Sequence, residues 1–175
     1  MDHKKIQKKA HEHRGDLTGE HSFGDGGQVL LACLFGVVWI VDTFFFKYTT
    51  LLNGYIPFIA RAPLAAFLLI VSGYLAKKGL AIVFGEKIEK TAVMRKSAFG
   101  VVRHPIYLSE ILFFLGFLML SLSLAAAAVW VVAIAFLHLI AKYEEKLLLA
   151  RFGEDYEKYM REVPRWLPRL GKGNL

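Results

Sequence analysis

Apolar residues along this chain gather into long runs, and charged residues fill the stretches between them. That segregation is expected of a chain crossing a bilayer rather than one folding around a small aqueous core. The first run, Val29 to Phe46, is broken only by Asp42. At about 1.5 Å rise per residue it nearly crosses a hydrocarbon core of about 30 Å, which predicts a first span. The second run, from about Ala62 to Phe84, contains Lys77 and Lys78. These lysines either extend to the interface or end the lipid-exposed portion near Leu75, so the end of this span stays open. From Tyr107 to Ala141 the apolar stretch is too long for one ordinary span, and Ser121 to Ser123 divide it into segments 108–121 and 124–141. A tight helical hairpin follows, whose first arm is short for a full crossing. The pattern predicts an all-α integral membrane bundle of about four transmembrane helices. It forms one domain over 1–175: a polar segment at 1–28, two spans within 29–84, and a half at 85–175 that carries the polar motifs.

Basic residues orient the bundle. Lys4, Lys5, Lys8, Lys9 and Arg14 precede the first span, whereas Lys47 and Arg61 are the basic residues of the next connection. Lys87, Lys90, Arg95, Lys96 and Arg103 follow the second span, and Lys142, Lys146, Arg151, Lys158, Arg161, Arg165 and Arg169 crowd the C-terminal segment. The positive-inside rule then predicts a multi-pass protein with both termini cytoplasmic. A content of 55% hydrophobic and 21% charged residues suits this arrangement better than a soluble domain. The net charge of +7 is explained by anionic lipid headgroups, with no basic stripe for nucleic acid. Cys33 is the single cysteine, so an intrachain disulfide is impossible, and no base stands near it in sequence to activate a thiol. The segment from Met1 to Gln28 is too long and too polar for a signal peptide and is expected to be retained.

Several polar constellations carry candidate chemistry. Arg103-His104-Pro105-Ile106-Tyr107 stands immediately before an apolar helix, and Pro105 suits a first helical turn while keeping His104 out of it. Such a helix start presents unsatisfied N–H groups to an anion, or else anchors the chain at the interface through Arg103 and Tyr107. Glu144 and Glu145 end the last apolar run and, on a continuing helix, point about 100° apart. One could bind ribose hydroxyls or an ammonium group while the other faces water, or both form a solvated helix extension. Phe152-Gly153 predicts a break, followed by a short amphipathic helix with Tyr156 and Tyr159 on one face, able to lie on the membrane surface. Val163-Pro164-Arg165-Trp166-Leu167-Pro168 resists helix and reads as an extended tail, either a lid or an interfacial tether.

Two polar residues lie inside apolar runs. Asp42, near the outer end, is expected at the exposed interface; His138, near the cytoplasmic end, either makes an interhelical hydrogen bond or approaches a substrate. His11-Glu12-His13 and His21 lack a metal-ligand framework, so no metal is expected. Gly24-Asp25-Gly26-Gly27 is too irregular for a nucleotide loop and is expected to turn the chain into the first span.

Taken together, Arg103-His104-Pro105-Ile106-Tyr107, the hydrophobic hairpin, Glu144-Glu145, Phe152-Gly153, Tyr156 with Tyr159, and Val163-Pro164 resemble the isoprenylcysteine carboxyl methyltransferases and their phospholipid-methyltransferase relatives. The resemblance covers about the last 75 residues. It implies a pocket for S-adenosylmethionine at the cytoplasmic end of the bundle, with Phe99, His104, Pro105, Ile106, Tyr107 and Glu144 holding the cofactor. Arg103 and Glu145 are the implied catalytic pair, Arg103 orienting an acidic substrate or the cofactor carboxylate. The implied acceptor is a lipophilic small molecule or lipid, met from the bilayer. Two departures stand out: Phe99 sits in Ser97-Ala98-Phe99-Gly100 rather than in a glycine-proline-tyrosine pattern, and Ile140 occupies the position of the family's substrate-associated arginine. The second weakens the case for a prenylcysteine carboxylate. Two other readings stay open: an NADPH-dependent membrane reductase, to which an arginine-histidine motif near C-terminal spans is also similar, and a non-enzymatic membrane protein that binds a partner.

Overall fold

The computed structural model describes residues 22–85, 93, 95 and 97–168. His11-Glu12-His13, His21 and the basic residues at 4–14, 87, 90, 96 and 169 lie outside the described residues.

Five helices, and no strand among the described residues, make up the fold. Helix α1 (Ser22–Ile40) runs on into a wider π-helical turn, Val41–Phe46, that Lys47 closes in the left-handed conformation at φ 56°. A 3₁₀ turn at Leu51–Gly54 leads to α2 (Phe58–Gly85), and a second one at Ser97–Gly100 leads to α3 (Pro105–Ser121). Helix α4 (Leu124–Phe152) and the short α5 (Glu154–Glu162) complete the chain. Gly26–Phe46, Phe58–Ile82 and Leu124–Phe152 are long and apolar enough to cross a membrane. Helix α3, with 17 residues and about 25 Å of rise, is the short arm that the sequence predicts. Lys77 and Lys78 do not end the second helix: α2 passes through both, and the Lys78 ammonium lies 5.8 Å from the centre of the Tyr74 ring.

Small residues let the helices approach. On the α2/α3 face a Cβ at Gly116 would lie 2.7 Å from Leu69 Cγ, and one at Gly79 would lie 2.7 Å from Ile106 Cγ1. Between them the Ser72 hydroxyl donates to the Ser109 carbonyl at 2.7 Å. These contacts run antiparallel and pack in the way helices pack in lipid, by close backbone approach and buried hydroxyls. Phe35 of α1 stacks on Phe114 of α3 at 4.4 Å, and Trp39 Nε1 donates to the Phe117 carbonyl at 2.9 Å. Leu118, Ala126 and Ala133 complete this core. Gly24 to Gly27 do not turn the chain into the span: the helix has already begun there, and Gly27 lies against the Phe136 ring of α4, where a Cβ would clash. Outward, Val29, Leu30, Val37, Phe67, Ile70, Val131 and Leu139 are exposed, as lipid-facing residues must be.

The hairpin turn between α3 and α4 is two residues long, with Leu122 left-handed at φ 49° and Ser123 capping α4 by accepting from the Ala126 amide at 3.1 Å. Asp42 meets that turn. It is not exposed at an interface, as its position near the outer end of the first apolar run suggests, but is 6% exposed. Its carboxylate accepts from the Thr49 amide at 3.1 Å, the Thr49 hydroxyl at 2.5 Å and the Ser123 hydroxyl at 2.6 Å. Arg61 covers the end of α3 by donating to the Leu120 carbonyl at 3.0 Å. The Asp42 carboxylate is therefore tied into the hairpin end, and Arg103 to Tyr107 and the C-terminal segment lie at the opposite end.

Candidate functional site

Pro105 is the first residue of α3, where its fixed φ fits the helix and its missing N–H costs nothing. His104 is consequently held out of the helix, at φ −124° and ψ 67°, and offers no side-chain cap. Just before it the Arg103 amide donates to the Pro164 carbonyl at 2.9 Å, which binds the tail to the start of α3. The Arg103 side chain extends the same contact, with one terminal nitrogen donating to the Met160 carbonyl at 2.8 Å and the Val163 carbonyl at 3.0 Å.

Helix α4 runs unbroken past Ala141 to Phe152, placing Glu144 and Glu145 on its regular helical turn. The angle between neighbouring side chains separates them: Glu145 is 3% exposed, and Glu144 sits beside it at the edge of the bundle. Three cationic or polar groups converge on Glu145 Oε1: Arg103 Nε at 2.9 Å, Arg165 Nε at 2.9 Å and His104 Nε2 at 3.0 Å. Arg165 gives a second bond to Oε2 at 2.5 Å, a two-point pairing of guanidinium and carboxylate. Glu144 accepts from the Tyr107 hydroxyl and lies 3.5 Å from His104 Nδ1. The two glutamates thus address opposite nitrogens of one imidazole.

Burial pushes His104 below the usual histidine range, against the pull of Glu145. A neutral ring that donates from Nε2 to Glu145, a pure acceptor, leaves the Nδ1 lone pair toward Glu144, and the tautomer follows from that network. The hydrogen bond to Glu145 raises the basicity of Arg165 further, keeping its charge fixed. His104 stacks parallel to Tyr107, ring centres 5.5 Å apart, and tilts against Trp166 at 5.9 Å.

The tail folds back over this end. Trp166 Nε1 donates to His138 Nδ1 at 3.2 Å, which resolves the histidine of the last span as the partner of a tail residue. Gly153, at φ 53°, breaks α4 from α5 as its place in the sequence predicts. Helix α5 buries Tyr156 and Tyr159 against Val163, Leu148 and Phe152, so its aromatic face is spent inside the protein. The Tyr159 hydroxyl donates to the Phe99 carbonyl at 2.7 Å, and burial raises its pKa to about 12.

Of the residues singled out in sequence, His104, Tyr107, Glu144, Glu145 and Arg103 come together in one cluster, with Pro105 buried beneath them. Phe99 joins through its backbone and Tyr159, and Ile106 packs on Gly79 of α2. Sequence reasoning named Arg165 and Trp166 only as parts of a tail; the two flanking prolines were the signal that the segment between them is extended and can reach back. Glu110, one turn beyond Tyr107 on α3, carries no sequence motif that marks it.

The phospholipid methyltransferase family's sequence profile matches residues 58–155, which include His104, Tyr107, Glu144 and Glu145 and exclude Arg165 and Trp166. The chain is also 32% identical over 130 residues to methanethiol S-methyltransferase from Crocosphaera subtropica, an alignment covering 69% of this chain and 50% of that protein. The chain thus spans about half the length of the curated relative it matches. No solved structure matches it.

Proposed function

The chain belongs to the phospholipid methyltransferase family, and from that premise we propose that it is a membrane methyltransferase using S-adenosylmethionine on a lipophilic acceptor. The observation that carries the reading is the convergence of Arg103, His104 and Arg165 on Glu145, which ties the start of α3, the end of α4 and the tail into one rigid end beside Glu144 and Tyr107.

The residues there fit the cofactor's chemistry. The first turn of α3 has no side-chain cap, and backbone N–H groups at a helix start suit a carboxylate. Glu144 offers an acceptor for ribose hydroxyls or an ammonium group. The rings of Tyr107 and Trp166 offer faces to an adenine ring and to positive charge. When bound, the cofactor supplies a methyl group on a sulfonium.

This chain's own part is placement, because in-line displacement depends chiefly on holding the nucleophile and the leaving group in register. Phe99, His104, Pro105, Ile106, Tyr107 and Glu144 shape the cofactor site. Arg103 and Glu145 serve as positioning residues, since their charged atoms meet each other and the tail. The acceptor arrives from the bilayer. The relative's methanethiol is one small apolar acceptor of the kind such a route admits. The basic residues Lys142, Lys146, Arg151, Lys158 and Arg161 at this end favour a cytoplasmic orientation.

The test is calorimetric titration of the detergent-purified protein with S-adenosylmethionine, S-adenosylhomocysteine and NADPH, with Glu144→Ala as control. Saturable binding of the adenosyl ligands, weakened in Glu144→Ala, is the expected result. Binding of NADPH alone would assign a reductase, and no binding by folded protein would assign a partner-binding role.

A further inference from the structure

Glu110 lies on α3 inside an apolar helix, three positions beyond Tyr107 and four before Phe114. That spacing puts it on the helix face that carries both, one turn deeper than the Tyr107–Glu144 contact and one turn short of the Phe114–Phe35 stack. Its Oε1 is fully enclosed and has no hydrogen-bond partner among the described residues. A carboxyl oxygen buried among apolar helices without a partner is costly and asks for a role. The other acids of the bundle have theirs: Asp42 is spent on Thr49 and Ser123, Glu145 on two arginines and His104, and Glu144 on Tyr107.

The positive charges lie elsewhere. Arg103 and Arg165 are both paired with Glu145, Arg61 caps α3 at the far end, and Lys77, Lys78, Lys142 and Lys146 are exposed on the outside of α2 and α4. An acceptor entering beside Glu110 therefore meets a buried carboxyl oxygen that no described residue pairs. Such a position disfavours a carboxylate as the reacting group beside it and suits a group that brings a proton to lose.

We propose that Glu110 is the proton acceptor of the transfer, taking the proton that an X–H acceptor, a thiol or an amine, must lose. This rests on the methyltransferase reading. The lone pair of X forms the bond to the transferred methyl carbon, and the carbon–sulfur bond breaks with its electron pair remaining on sulfur. The X–H proton passes to Glu110, whose carboxylate becomes a neutral acid. One negative and one positive charge disappear together, an outcome that apolar surroundings favour.

The experiment compares wild type and Glu110→Gln in lipid nanodiscs with labelled S-adenosylmethionine and three probes: 1-hexanethiol, hexylamine and hexanoate. In wild type the thiol or the amine is methylated and hexanoate is not; the preferred probe tells the two X–H classes apart. In Glu110→Gln kcat on that probe falls by about 10²-fold or more, the usual worth of a positioned base. Calorimetric affinity for S-adenosylhomocysteine stays as in wild type. With the thiol, the variant's rate climbs again at alkaline pH as the thiol ionises on its own, a rescue that a merely structural glutamate would not show. Infrared spectra of wild type gain a protonated-carboxyl band as pH falls, and Glu110→Gln lacks it. Hexanoate methylation by wild type at a rate matching the thiol or amine would overturn the proposal without any variant. Unchanged kcat in a Glu110→Gln protein that binds S-adenosylhomocysteine would also overturn it. If wild type itself fails to bind the adenosyl ligands, the methyltransferase reading falls first and this one with it.

Discussion

Arg103 and Glu145, 42 positions apart in the chain, meet at 2.9 Å with 9% and 4% of their side chains exposed, and Arg165 adds a second guanidinium to the same carboxylate. Charges so enclosed cost several kcal/mol each to desolvate, so the group is stable only while complete. Glu145→Ala leaves Arg103 buried without its counter-charge and is expected to cost about 3–5 kcal/mol. Arg165→Ala removes the more exposed member, 22% exposed, and leaves the Arg103–Glu145 pair intact. Its expected cost is about 1.5–3 kcal/mol, the worth of hydrogen bonds to a charged group. Thermal unfolding of both variants in one detergent checks the order. Equal losses would mean that Glu145 does not hold the end of the bundle together.

His104 makes this end sensitive to acid. Burial holds its pKa below the ordinary histidine value of 6.5, so the folded protein keeps the ring neutral where the unfolded chain takes up a proton. Above pH 6.5 the ring is neutral in both states and the stability it contributes is complete. As pH falls through 6.5 toward the lowered folded value that stability is lost, at up to about 1.4 kcal/mol per pH unit. It levels off below the folded value. His104→Gln keeps an N–H donor for Glu145 but has nothing to titrate. The difference in unfolding free energy between wild type and His104→Gln is expected to be flat above pH 6.5 and to shift in favour of the variant below it. A flat difference across both ranges would show that burial does not control this group.

Much of this architecture is written in local pattern. Ser121 to Ser123 interrupt an apolar run at a spacing that only a hairpin satisfies, Pro105 fixes a helix start, and Gly153 a helix end, because each acts through its own backbone. The site is legible only in part. Hydrophobic periodicity assigns faces, so it shows that Glu144 and Glu145 diverge, but the partners come from segments tens of residues away. Nothing near Asp42 in sequence announces Thr49 and Ser123 as its partners, and so a buried hub looks like an interfacial acid. Arg165 looks like one more basic residue of a tail until the Pro164 carbonyl is seen to bind the Arg103 amide. Lys77 and Lys78 mislead in the other direction, since a helix end and a snorkelling pair read alike on a hydropathy scale.

Asp42 provides the control for the site. Removing its carboxylate in Asp42→Ala strips acceptors from the Thr49 amide and from two hydroxyls, one of which caps α4. Each buried donor left unsatisfied costs about 1–3 kcal/mol, so the thermal transition is expected to drop clearly. The 20 helical residues from Leu124 to Tyr143 put about 30 Å between this hub and the Glu144 end. Affinity for S-adenosylhomocysteine, measured below the transition, is therefore expected to match wild type. An affinity loss in still-folded Asp42→Ala would place Asp42 in the binding machinery instead.

Two glycines on the α2/α3 face, Gly79 of α2 and Gly116 of α3, separate packing from binding. A Cβ at Gly79 would lie 2.7 Å from Ile106 Cγ1 and 3.8 Å from its backbone nitrogen, and a Cβ at Gly116 of α3 would lie 2.7 Å from Leu69 Cγ. Both alanine substitutions overfill the α2/α3 face and are expected to cost about 1–3 kcal/mol. They differ in what moves. Ile106 stands between Pro105 and Tyr107, so Gly79→Ala pushes on the first turn of α3 and on the bond from Tyr107 to Glu144. Gly116→Ala pushes on Leu69, nearer the hairpin end. Gly79→Ala is accordingly expected to weaken S-adenosylhomocysteine binding about tenfold, equivalent to about 1.4 kcal/mol, while Gly116→Ala leaves affinity unchanged at a similar stability loss. Adding Ile106→Ala to Gly79→Ala opens the crowded position, and recovery of affinity in the double variant would trace the effect to this contact. Matching affinities in the two single variants would mean that the α3 start does not need its wild-type position to bind.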